Sequence, residues 1–141
     1  MMKIRVGYLI DTVYSVSAGT EKQLVGIIKH LDRARFIEPI LICLRESPWM
    51  KENILPFQVI SLGYQGFFKS NFPAVVHALA EILDRQQIDI LQTFFEDSIF
   101  VGFLGKLLSR RKPILLSSRR DIGMGSDEAC YHRLFKTVLP L

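Results

Sequence analysis

Apolar positions along this chain follow two rhythms. Short contiguous aliphatic runs alternate with longer stretches in which apolar residues recur every three or four positions. Contiguous runs suit strands covered on both faces, and the wider spacing suits one buried face of a helix. Lys3 to Ile10 predicts a first buried strand, and a polar loop, Asp11 to Ser17, leaves it. Ala18-Gly19-Thr20-Glu21 then opens a helix over about Thr20 to Leu31, with Leu24, Ile27, Ile28 and Leu31 as its stripe. Further strands are predicted over Arg35 to Leu44, Phe57 to Leu62, Ile88 to Thr93 and Pro113 to Ser118. Helices are predicted from near Pro73 to Gln86, from about Ser98 to Ser109, and from Asp127 to about Leu139. Trp49 to Pro56 reads as a loop or short helical turn, and Pro39 belongs at a strand start or an edge.

This alternation predicts an α/β fold, a Rossmann-like, mostly parallel sheet with helices on both faces. The 141 residues make one domain, large enough to bury a core. Gly102 and Gly105 interrupt the helix after Thr93, and they allow close approach of that helix to the sheet.

Composition narrows the function classes. With 49% hydrophobic and 23% charged residues the chain is globular rather than disordered. A net charge of +4 suits a phosphate ligand or an anionic surface but is too thin for nucleic acid. Cys43 and Cys130 lie far apart, with no paired metal spacing; Cys43 falls in an apolar run and reads as a small buried hydrophobe. His30, His77 and His132 share no spacing, and no metal site is expected. The chain has no unbroken apolar run long enough to span a bilayer and enters a strand at once, so a cytoplasmic setting is expected.

In open α/β sheets, ligands bind beyond the carboxyl ends of the strands. Three loops should meet there. Asp11 to Glu21 supplies Gly19 and Thr20 amides with Asp11 and Glu21; Thr93 to Asp97 supplies Glu96 and Asp97; Arg119 to Ser126 supplies Arg119, Arg120 and Asp121. Two guanidiniums beside an acid can clamp a phosphate or carboxylate. Each group also has a plain reading: a helix start with a well-placed acid, first-turn acids, and an ion-paired surface knot. A single glycine is not the dinucleotide fingerprint. The cluster Lys106, Arg110, Arg111 and Lys112 reads as a solvated helix end, or as a contact for anionic lipid.

Together, Lys3 to Ile10, Ala18 to Leu24, Leu31 to Phe36, Ile88 to Thr93 and Ser117 to Gly123 resemble the start of the family 4 (group 1) glycosyltransferases. The resemblance spans nearly the whole chain, but only the amino-terminal half of such an enzyme. It implies a B-type fold of two Rossmann-like halves, of which this half receives a sugar or lipid-linked acceptor. The carboxyl-terminal half would hold the nucleotide-sugar donor, as a substrate rather than a cofactor, and no metal is needed. It implies a loop at Gly19 and Thr20 near the donor phosphates and the acceptor. Taken with the three loops above, the expectation is a single acceptor-side domain over residues 1–141, with Gly19, Thr20, Glu21, Thr93, Glu96, Asp97, Arg119, Arg120 and Asp121 as substrate-binding residues. Such enzymes commonly build polysaccharide or glycolipid at the cytoplasmic face of a membrane, so peripheral membrane contact is an expectation. Two departures stand out: Ala18 precedes Gly19 where the family has paired glycines, and Arg119 stands where some relatives place histidine.

This half alone is expected to have little transfer activity, because the groups that stabilise a departing diphosphate belong to the other half. Two rival readings remain. One is a stand-alone module binding a small anion or nucleotide without catalysis. The other is an interaction protein that self-associates through Phe67, Phe68, Phe94 and Phe95.

Overall fold

The computed structural model describes residues 2–17, 19–66 and 69–118. Its elements are β1 (Ile4–Ile10), α1 (Gly19–Leu31), β2 (Ile37–Cys43), α2 (Pro48–Glu52), β3 (Val59–Ser61), α3 (Phe72–Arg85), β4 (Ile90–Phe94), α4 (Glu96–Leu108) and β5 (Ile114–Ser118). The strands form one five-stranded sheet in the order β3-β2-β1-β4-β5, and every pairing is parallel. The α/β Rossmann-like architecture read from the chain is therefore the one it adopts. The predicted last helix, Asp127 to Leu139, lies outside the described residues.

Alternation along each strand sorts the aliphatics onto two faces. Leu9, Ile40, Ile42 and Leu91 pack with Leu79 and Leu83 of α3 and Val101 of α4. Val6, Tyr8, Ile10, Leu41 and Cys43 pack with Leu24, Val25 and Ile28 of α1. Burial on both faces is why these strands read as continuous apolar runs. On α1, Val25 takes the core position expected of Ile27, which is 46% exposed.

Pro39 lies inside β2 opposite Val6, with no loss to the ladder. The Leu41 N–H points to β3 and donates to Gln58 O at 3.0 Å. Pro39 has the same parity but precedes the first β3 partner, so its side of β2 is a local edge where no donor is required.

Two glycines set the seat of α4. A Cβ at Gly102 would come within 2.7 Å of the Thr93 methyl and 3.3 Å of Leu9. A Cβ at Gly105 would come within 2.7 Å of Leu79 Cδ2 and 2.9 Å of its Cγ. The helix thus lies closer to β4 and α3 than any side chain at these positions permits.

Several boundaries differ from the sequence reading by one or two residues. Of the two alternatives for Trp49 to Pro56, the short helical turn is the one formed, because Ser47 accepts from Met50 N at 3.1 Å and Pro48 occupies the first turn. β4 runs one residue further, to Phe94, which is 3% exposed and stacks 6.5 Å from Tyr8. Phe94 is therefore core, not part of a bare association face; Phe67 and Phe68 lie outside the described residues. Phe95, at φ 68° and ψ 165°, then turns the chain in one step, so α4 starts at Glu96 rather than Ser98.

α3 ends in a Schellman turn. Gln87 N donates to Asp84 O at 3.2 Å and Ile88 N to Leu83 O at 3.0 Å, with Gln87 at φ 52°. Gln87 holds the left-handed position that glycine usually takes, and the helix stops within one residue of the predicted Gln86.

Candidate functional site

Strand order reverses between β1 and β4, so the chain leaves these neighbours in opposite directions, and the carboxyl ends at such a switch point are where open α/β sheets place their ligands. Asp11 is the first residue past β1. Its carboxylate oxygen Oδ1 accepts from the Ser98 hydroxyl of α4 at 2.6 Å, across 87 positions of sequence. Its carbonyl accepts from Arg45 N at 2.8 Å, which ties the end of β2 to the same corner. Burial pushes the Asp11 carboxyl above its ordinary value, and the nearby Asp97 charge adds to the rise; Ser98 and the Arg45 charge oppose it.

Arg45 is the rim cation that sequence reasoning passed over. Its guanidinium carbon lies 5.4 Å from the ring centre of Tyr64, a tyrosine only 3% exposed. Only the pairing of β1, β2 and β3 brings Arg45, Asp11 and Tyr64 to one corner, so no local motif announces it.

The loop out of β1 is fixed at several points. Val13 is fully buried, and its carbonyl accepts from the Ser47 hydroxyl. Glu21 Oε2 accepts from Tyr14 N at 3.0 Å and Ser15 N at 3.1 Å. Glu21 thus holds the loop that precedes its own helix. Gly19, at φ +75°, makes the turn into α1; a Cβ there would meet no atom within 4 Å, so glycine serves backbone conformation rather than space. Thr20 sits beside it, half-buried, in the first turn of α1.

Of the other expected site residues, Glu96 and Asp97 lie half-buried in the first turn of α4, where carboxylates complement the helix dipole. Thr93 must be corrected from rim to interior. It is 0% exposed, its methyl faces Gly102, and its hydroxyl reaches Ser117 Oγ at 3.3 Å. The strand geometry explains this: Thr93 points to the α4 face, one residue short of the strand's end. Arg119, Arg120 and Asp121 lie outside the described residues; Ser118, just before them, pairs with Phe94 and accepts from Gln92 Nε2 at 2.9 Å.

The opposite end of the sheet holds a second polar cluster. Asp89 accepts from Arg5 N at 2.9 Å and pairs with Arg111. Asp84 accepts from Ser109 Oγ at 2.6 Å, Arg111 N at 3.0 Å and Arg110 N at 3.2 Å. Both carboxyls are held below their ordinary value, Asp84 chiefly by Ser109 and Asp89 chiefly by the Arg5 amide. Lys112 donates to Leu107 O and so caps the end of α4. The acids here serve turns, so the perturbed groups mark structure rather than chemistry.

No family model matches the chain, and no curated protein matches it. Its fold is similar to the crystal structure of a glycosyltransferase from Rickettsia africae ESF-5. The TM-score is 0.62 at 18% identity, over 96% of this chain and 34% of that one. The chain therefore spans about a third of that protein's length, and the likeness is one of fold. Among the described residues, no helix is long and apolar enough to cross a membrane.

Proposed function

We propose that this chain is the acceptor-binding, amino-terminal domain of a nucleotide-sugar-dependent glycosyltransferase of the family 4, B-type kind. The observation that carries the reading is the reversal of strand order between β1 and β4, with Asp11 just past β1 and bonded to Ser98 of α4, in a sheet similar to that of a glycosyltransferase. A carboxylate held by a neighbouring hydroxyl is suited to receive a sugar hydroxyl. On this reading the nucleotide diphosphate is held mainly by further polypeptide, and the product is a cell-surface polysaccharide or glycolipid. Gly19 and Thr20 shape the loop near the donor phosphates, Glu96 and Asp97 serve the acceptor side, and Arg119, Arg120 and Asp121 are further substrate-binding residues.

Calorimetric titration of the 141-residue chain with methyl glycosides and with nucleoside diphosphates tests this. Saturable glycoside binding, with weak or no nucleotide binding, is the expected result. Nucleotide binding without glycoside binding would instead select the stand-alone nucleotide-binding module.

A further inference from the structure

We propose that Arg45 is a phosphate-binding residue, holding a phosphate group of the ligand at the carboxyl ends of β2 and β3, with Lys69 as the second cation there. The inference rests on the reading above only for placing the ligand at this end of the sheet. It adds a residue and a charged group that the reading does not assign. Backbone hydrogen bonds carry the ladder past β2. Leu44 N donates to Ile10 O at 2.9 Å, Arg45 N to Asp11 O at 2.8 Å, and Tyr64 N to Leu44 O at 2.7 Å. The backbone of Arg45 is thereby fixed. Its side chain is directed as well, because the guanidinium carbon lies 5.4 Å from the ring centre of Tyr64. Tyr64 is itself anchored in the core cluster that holds Leu44 and Val75. Stacking takes up one face of the planar guanidinium and leaves its in-plane N–H donors available. Arg45 is exposed, so a ligand can reach them.

Arg45 lacks a counter-charge. Arg5, Arg85 and Arg111 each pair with a carboxylate, but no carboxylate among the described residues pairs with Arg45. No acceptor among them engages its side-chain N–H groups. Glu46 follows directly, but it lines a cavity with Met50 and Val59, which pack on the α1 face of the sheet. Tyr64, under the guanidinium, packs on the α3 face. The Asp11 carboxylate is held instead by Ser98. Lys69 is a second exposed cation without an ion pair among the described residues. Its Cγ would lie 3.3 Å from a Cβ at Gly66, so its stem runs against the loop that Tyr64 begins. The carboxyl end of the sheet is thus divided by charge. Asp11, Glu96 and Asp97 stand where β1 and β4 end, and Arg45 and Lys69 stand past β2 and β3. A guanidinium fork matches phosphate oxygens bidentately. Two cations without counter-charge suit a group carrying about two negative charges, which favours phosphate over a single carboxylate.

The test titrates nitrogen-15-labelled 141-residue chain with glucose 1-phosphate, uridine diphosphate, glucuronate and methyl glucoside. It is read at the Arg45 Nε–H resonance, which Arg45→Gln identifies by its loss. A phosphate probe is expected to shift this resonance saturably, with affinity falling as salt is raised. Arg45→Gln should weaken that binding about tenfold, read at backbone amides. Lys69→Gln should weaken it by less, and Arg45→Lys should recover part of the loss, as a point charge without the fork. Tighter binding of glucose 1-phosphate assigns the phosphate to the acceptor, and tighter binding of uridine diphosphate assigns it to the donor. Arg45 is exposed, so Arg45→Gln should keep the wild-type urea midpoint; should the midpoint fall, Arg45→Lys carries the comparison and must still bind phosphate more weakly than wild type. No shift of the Arg45 resonance with either phosphate, glucuronate binding as tight as phosphate, or affinity unchanged in the Arg45 variants overturns the assignment. Methyl glucoside binding with no phosphate response overturns this assignment alone. Phosphate binding at Arg45 with no glucoside binding supports it and removes the acceptor-side reading.

Discussion

Placing alanine at Gly105 and at Gly26 puts the same methyl group on two helices with opposite expected results. At Gly26 of α1, a Cβ meets nothing within 4 Å. The substitution there should stabilise by about 0.5–1 kcal/mol, the ordinary preference of a helix interior for alanine. At Gly105 of α4 the same propensity gain applies, but the new carbon would lie 2.7 Å, 2.9 Å and 3.3 Å from three atoms of Leu79. Leu79 is 0% exposed and cannot swing aside, so α4 must lift from α3 or Leu79 must leave its rotamer. Overpacking of this kind costs about 1–3 kcal/mol, which exceeds the gain over most of its range. Gly105→Ala should therefore destabilise by about 1 kcal/mol net. Urea denaturation of both variants, followed by circular dichroism, reads the difference as midpoints moving in opposite directions at constant slope. A double variant adding Leu79→Ala should be less damaged than the sum of its parts, since the second change removes the obstacle met by the first. If Gly105→Ala proved as stable as Gly26→Ala, the close seating of α4 would be wrong. The position of Ser98 against Asp11 would then lose its support, because the same helix carries it.

Gln87→Gly should stabilise by about 1 kcal/mol in the same assay, because glycine adopts the 52° φ of this Schellman turn without the side-chain penalty. Asp11→Asn should raise stability at pH 7. Burial lifts the folded carboxyl above its unfolded value, so the ionised form opposes folding at neutral pH. That gain should vanish once the pH falls below the unfolded value, where both states are protonated, and a gain that persists in acid would refute the electrostatic account. Glu21→Gln should speed hydrogen exchange at the Tyr14 and Ser15 amides several-fold, since a carboxylate now holds both; unchanged exchange would free Glu21 for a ligand role. Cys43 should resist thiol reagents until the protein unfolds, judged by peptide mass mapping, because burial and nearby Glu21 and Glu46 push its thiol up to about 12.

Much of the fold is legible along the chain because local periodicity encodes it. Short contiguous runs such as Ile40 to Leu44, bounded by turn residues, suit strands buried on both sides, and the spacing of Val75, Val76, Leu79 and Leu83 suits one helix face. Gly102 and Gly105 within a helical pattern point to close packing of α4 without naming its partners. Strand order, and with it the switch point between β1 and β4, is not encoded there, because right-handed crossovers are satisfied by more than one order of a doubly wound sheet.

What periodicity cannot encode is which end-of-strand residues meet. Asp11 and Ser98 stand 87 positions apart, and neither belongs to a motif. Arg45 became a rim cation only because β3 delivers Tyr64 beneath it. Thr93 looked like a loop residue and is core, since its face was set by register against β1 and by the space left at Gly102. Side-chain chemistry is written residue by residue in the chain, but distance and desolvation arise only when strands pair. Those two quantities decide whether a carboxylate is a turn cap, as at Asp84, or an open acceptor, as at Asp11.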